Sequence, residues 1–202
     1  MSIRAVIFDL GGVLVRTEDR TSRSKLAKRL GLTYDDLSAL VFDSQSAHQA
    51  MKGEITTEEH WDEVRKALGL SKDEFPRVPT EFWGGDTLDQ GLINYLRNLR
   101  PQYKTALLSN AWDDLRQMIE EIWKFDDAFD QIVISAEVGL VKPDRLIYEK
   151  VLSDLEVKPA EAVFVDDFPE NVAGAVAVGL EAIQFISPEQ ALGELKKLLD
   201  GD

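Results

Sequence analysis

The chain has 202 residues, 44% of them hydrophobic and 30% charged, which suits one packed core with a modest insert and excludes a disordered or fibrous chain. Acidic residues outnumber basic ones by 37 to 23, and the net charge of -14 repels nucleic acid and anionic membrane surfaces, so neither is expected as a partner. Cysteine is absent, which removes disulfide frameworks, thiolate metal sites and thiol nucleophiles together; no apolar run approaches a membrane span, and a cytoplasmic location is expected.

The first strand is expected over residues 4–9, a β-branched and apolar run without polar alternation, as in a strand buried on both faces. It ends in Asp9, and the glycines Gly11 and Gly12 that follow let backbone approach a ligand closely. A carboxylate so placed can attack phosphorus and bind a metal ion; a structural turn is the plainer alternative. From about residue 17 to about 85 the pattern is helix after helix with no convincing strand, and reads as a helical insert. Inside it Gly53 ends one helix, and Thr56 and Glu59 have the spacing of a capping box at the start of the next.

Helical periodicity over 88–99 leads to a second strand, 105–109, ending in Ser109 and Asn110, whose hydroxyl and amide can both donate to phosphate oxygens or cap a helix. A helix over 113–123 and a weaker strand over 131–135 follow. Lys142 stands just ahead of a helix over 145–155 that carries Pro143 and Asp144 at its start. The strand 162–166 ends in the adjacent acids Asp166 and Asp167. Two carboxylates this close are costly without a cation, and a hard divalent ion held by acids, water and phosphate oxygen is the usual magnesium arrangement; an acidic helix start is the alternative. A strand over 182–186 and a helix over 188–199 close the chain. The alternation implies a doubly wound parallel α/β sheet, and Asp9, Ser109 and Asp166 all fall at carboxyl ends of strands, where such sheets place ligands.

Taken together and in this order, these motifs resemble the haloacid dehalogenase superfamily, from Ile3 to about Ile186. The resemblance implies a Rossmann-like catalytic core of residues 1–16 and 86–202, with 17–85 as a small α-helical cap inserted after the first strand. It implies hydrolysis of a small phosphorylated metabolite, with Asp9 as nucleophile and metal ligand and a Gly11 carbonyl on the same magnesium. Ser109, Asn110 and Lys142 would hold the phosphoryl group, Lys142 also serving catalysis, and Asp166 and Asp167 would hold the Mg2+. The cap loop around Lys52 and Glu54 would select substrates. The stretches from Gly139 to Asp144 and from Val165 to Val172 are most similar to sugar-phosphate phosphatases and to the phosphatase domain of soluble epoxide hydrolases.

One position departs from the pattern. Most family phosphatases carry an acid–base Asp two residues after the nucleophile, where this chain has Gly11; losing such a group costs about 10² to 10⁴ in rate. A catalytically weak binding or regulatory protein is therefore the alternative. A dehalogenase, which needs no metal, is disfavoured by Asp166 and Asp167 and by the lack of an aromatic at position 11.

Overall fold

The structure, a computed structural model, describes residues 2–201. Its central strand β1 (Ala5–Phe8) is buried along its whole length and pairs in parallel with β4 (Lys104–Ser109) on one side and β6 (Ala162–Asp166) on the other. β5 (Gln131–Ile134) extends the sheet beyond β4, and β7 (Glu181–Gln184) beyond β6, giving the order β5-β4-β1-β6-β7.

Successive side chains of β1 point to opposite faces, and both faces are covered. Val6 and Phe8 pack with Leu92, Ile93 and Leu96 of α6 (Gln90–Leu99) and with Leu195 of α11 (Pro188–Asp200). Ala5 and Ile7 pack with Ile147, Tyr148 and Val151 of α9 (Arg145–Asp154) and Ala175 of α10 (Pro169–Val178). This double burial is why the strand reads as an unbroken apolar run, and each fully buried Val, Ile or Phe contributes roughly 1.5–3 kcal/mol. The edge strand β7 exposes Glu181 and Gln184, and the charge discourages pairing with another chain.

Between β1 and β4 the chain leaves the sheet through an antiparallel pair, β2 (Val15–Thr17) with β3 (Asp86–Leu88), which brackets five helices. These are α1 (Thr21–Arg29), α2 (Tyr34–Phe42), α3 (Gln45–Met51), α4 (Thr57–Ala67) and α5 (Arg77–Trp83), sharing an apolar core that includes Leu26, Leu37, Val41, Trp61 and Phe82. The capping box of Thr56 and Glu59 is present at the start of α4, and a second, Thr33 with Asp36, starts α2. The buried guanidinium of Arg23 lies 4.0 Å from the Phe82 ring centroid and ties α1 to Asp86 of β3 at 3.2 Å.

Three expectations are corrected. The β2–β3 pair was not expected, because three residues are too few to show a period, and the pairing arises between segments about 70 residues apart. Leu88 consequently belongs to a strand, and α6 begins only at Gln90, behind the N-cap Asp89. The stretch 113–123 is no regular helix: a short α7 (Leu115–Gln117) runs into a π-helical turn, Met118–Trp123, ended by Lys124 at φ 54. The last strand lies one to two residues earlier than expected, leaving Ile186 beyond it and exposed. Among the described residues no helix is long and apolar enough to cross a membrane.

Candidate active site

The sheet register brings three distant segments together. Phe8 pairs with Leu107 on one side and Val165 on the other, so Asp9, Ser109 and Asp166 emerge from three adjacent strands at one carboxyl edge. From β1 the chain runs to β4 and β5 on one side and then crosses over to β6 and β7 on the other, and the crevice at such a switch point is where open α/β sheets bind ligands.

Lys142 comes from a fourth segment, the loop before α9. Its ammonium lies 2.8 Å from Asp9 Oδ1 and 2.7 Å from Asp166 Oδ2, with all three side chains at most 8% exposed. It is therefore a buried counter-charge shared by two acids, not a solvated surface lysine. The loop is held by Asn110, whose Nδ2 donates to the Lys142 carbonyl at 2.9 Å while the Lys142 N–H donates to Asn110 Oδ1 at 2.8 Å. The side-chain oxygen and one amide hydrogen of Asn110, which was expected to hold phosphoryl oxygens, are thus engaged in aligning Lys142, and the amide's second hydrogen is left over. Ser109 is buried at the end of β4.

The acids differ in their surroundings. Asp9 Oδ1 also accepts from the Leu10 N–H at 2.7 Å. Burial, opposed by Lys142 and reinforced by Asp166, pushes its carboxyl up to about 7. Asp166 is fully buried and well satisfied: besides Lys142 it accepts from the Phe168 N–H at 2.8 Å and from Asn171 Nδ2 at 3.0 and 3.1 Å. Asp167 is the poorly matched member. Its Oδ1 is buried without a partner, and burial together with Asp166 pushes its carboxyl up to about 6. Its other oxygen, Oδ2, fills the space beside Gly12, where an added Cβ would lie 2.1 Å away; Gly12 also has φ +75, so glycine is required there on two counts.

Asp9, Asp166 and Asp167 each offer a carboxylate oxygen within 4.8 Å of the others. An all-oxygen donor set with one buried, unpartnered carboxylate oxygen fits a hard divalent cation such as magnesium. Gly11 lies in the turn after Asp9, exposed, outside the left-handed region, with nothing within 4 Å of where its Cβ would stand. Lys52 and Glu54 are exposed in the α3–α4 loop. Between them Gly53 rests on the core: a Cβ there would be 2.2 Å from the Ala136 carbonyl oxygen of α8 (Ser135–Val138). Among the described residues neither Lys52 nor Glu54 is joined to the acid–lysine cluster by a hydrogen bond or ion pair.

Two residues outside the expected set complete the site. Asn171 orients Asp166, and Tyr148, wholly buried, donates from its hydroxyl to the Asn171 carbonyl at 2.8 Å. Asn171 could have been found from its place five residues after Asp166, in the first turn of a helix that must fold back on the strand end. Tyr148 carries no such signal.

The model of the haloacid dehalogenase-like hydrolase family matches residues 3–179. The sesquiterpene phosphatase of Aspergillus oryzae is 30% identical over 203 residues, covering 98% of this chain and 97% of its own length. The D-ribitol-5-phosphate phosphatase of Bacteroides thetaiotaomicron is 29% identical, over 90% of this chain and 91% of its own. Bifunctional epoxide hydrolase 2 of Mus musculus is 28% identical over 98% of this chain, which spans only 39% of that protein. A solved HAD-family enzyme from Bacteroides thetaiotaomicron, in complex with magnesium and inorganic phosphate, has a TM-score of 0.77 at 25% identity, over 93% of this chain and 96% of that one.

Proposed function

The chain belongs to the haloacid dehalogenase-like hydrolase family and is a phosphatase of it, and we propose that it hydrolyses a small phosphate monoester, such as a sugar phosphate, through an aspartyl-phosphate on Asp9. The observation that carries this reading is the buried acid–lysine cluster, in which one ammonium serves both Asp9 and Asp166 while the neighbouring Asp167 oxygen stays unpartnered.

The Asp9 carboxylate attacks phosphorus, the bond from phosphorus to the ester oxygen breaks, and the leaving oxygen departs with the electron pair; water then cleaves the acyl phosphate and returns Asp9. Lys142 opposes the repulsion between Asp9 and the approaching phosphoryl oxygens, and its alignment by Asn110 and Asp166 is set before substrate arrives. The Ser109 hydroxyl donates to a phosphoryl oxygen. Asp9, Asp166 and Asp167, with the Gly11 carbonyl, would hold Mg2+, which would supply positive charge to the phosphoryl oxygens. Because Gly11 offers no acid, the leaving oxygen must depart with its charge or take a proton from elsewhere, and His48 and Glu54, both exposed on the insert, are the candidates. Lys52 and Glu54, on the loop seated against α8, would contact the part of the substrate beyond the phosphate.

The test is release of phosphate from an aryl phosphate with and without magnesium. Wild type is expected to need the metal, and Asp9→Asn to fall below a hundredth of wild-type turnover while keeping the wild-type circular dichroism spectrum, since an amide is neither an adequate nucleophile nor an anionic ligand. Turnover above that level in the variant would refute Asp9 as nucleophile. Binding of orthophosphate without any turnover would make the chain a binding protein.

A further inference from the structure

The six residues 109–114, starting with the last residue of β4, serve the sheet and the insert in turn. Ser109 and Asn110 belong to the site described above. Ala111 is pinned to the core, its N–H donating to Ser135 Oγ at 3.0 Å and its carbonyl accepting from the same hydroxyl at 3.1 Å. Trp112 then leaves the core altogether. Its indole is 7% exposed and lies within the apolar core of the insert, with ring centroids 4.5 Å from His60, 5.9 Å from Trp61 and 6.1 Å from Trp83. Asp113 next accepts from the N–H and the hydroxyl of Thr57, the first residue of α4, at 2.9 and 2.6 Å, and Asp114 accepts from that hydroxyl at 3.1 Å. A wedge and a polar clasp thus follow directly on the turn that carries Ser109.

Among the described residues the Trp112 Nε1–H has no hydrogen-bond partner, so the indole is held by its bulk and not by a polar contact. Any shift of the insert's aromatic core is carried through Trp112 to a point three residues from Ser109 and two from Asn110, which itself aligns Lys142. On the reading of Ser109 and Lys142 as phosphoryl-binding groups, we propose that Trp112 is a positioning residue, through which the seating of the helical insert sets the geometry of the anion-binding turn.

Two arms test it on the full chain. In the first, calorimetry with magnesium measures the affinity for inorganic phosphate. Trp112→Phe keeps one aromatic ring while losing the unpartnered N–H and part of the indole's bulk, and is expected to bind within about 3-fold of wild type; Trp112→Ala is expected to lose about 10- to 100-fold, the scale of a misplacement near 1 Å. Leu26→Ala, a cavity on α1 of the same insert core, serves as the control for lost stability and is expected to leave the affinity unchanged. Equal affinity in wild type and Trp112→Ala, or an equal loss in Leu26→Ala, overturns the proposal. The second arm needs no ligand: amide hydrogen exchange over residues 109–111 in Trp61→Ala, a change more than forty residues away in sequence, should be faster than in wild type, and unchanged exchange there overturns the proposal. Wild type that takes up no phosphate refutes the phosphatase reading, while the exchange arm still decides the coupling.

Discussion

Asp166 and Asp167 are neighbours of like type with opposite structural parts. Asp166 satisfies Lys142, Asn171 and the Phe168 N–H at once, so Asp166→Ala leaves an ammonium and an amide short of partners in the interior. Removing one member of a buried pair costs about 3–5 kcal/mol, and the lower end is expected because Asp9 still faces Lys142. Asp167→Ala removes a carboxylate that burial and Asp166 already disfavour, so the metal-free protein should be as stable as wild type or more so. Urea unfolding in the presence of a chelator distinguishes the two, and an equal loss in both variants would make the acid pair a plain structural feature. Gly11 poses the complementary case, since its backbone is outside the left-handed region and space is open where a side chain would project. Gly11→Asp should therefore fold normally and speed alkyl phosphates, which need a proton on departure, by up to about 10² to 10⁴, with aryl phosphates gaining less. Single-turnover rates for the two ester types give the answer, and an unchanged ratio would mean that the missing acid does not limit the reaction.

Among the elements, the start of α6 does more than begin a helix. Asp89 caps it by accepting from the Leu92 N–H at 2.9 Å and holds Arg16 of β2 at 2.8 Å, so one carboxylate fastens the first sheet-covering helix to the base of the insert. Burial raises its pKa, but the Leu92 N–H and Arg16 outweigh that and hold it below the usual carboxylate range. Asp89→Ala is expected to cost about 1–2 kcal/mol at neutral pH, the range of a lost N-cap. A depressed carboxylate contributes fully above its unfolded value, near 4, and loses that contribution as pH falls through its folded value. The gap between wild type and variant in denaturant midpoint should accordingly be constant from pH 7 to about 5 and close below about 4. A gap that widens on acidification would contradict the assignment.

At the level of the whole molecule, the site exists because a five-stranded sheet gathers residues from 9 to 167, and it leaves Asp167 with a buried carboxylate oxygen that a cation would satisfy. A ligand that binds the folded state alone at 100 times its Kd stabilises it by about 2.7 kcal/mol, and for a chain near 200 residues each kcal/mol shifts Tm by roughly 2–4 °C. Saturating magnesium should thus raise Tm by about 5–10 °C in wild type and by much less in Asp167→Ala. A thermal shift that is the same in both proteins would place magnesium elsewhere.

The strands around Asp9, Ser109 and Asp166 were legible in the sequence because burial on both faces leaves an unbroken apolar run, and the polar residue that ends each run marks the carboxyl edge. The capping box at Thr56 was legible for a similar reason, its partners being three residues apart. Whatever depends on partners far along the chain was not. The β2–β3 pair joins segments too short to show a period; the Asn110 side chain pairs with the Lys142 backbone; Lys142 is shared between two acids from different strands; and Trp112 looks like any aromatic after a strand until the insert folds over it. Local sequence determined the long helices, the buried strands and the polar residues that end those strands, since these follow from periodicity and burial over a few residues. Only the tertiary structure decided which polar groups meet, because a hydrogen bond or an ion pair depends on distances that the register of the sheet and the seating of the insert create.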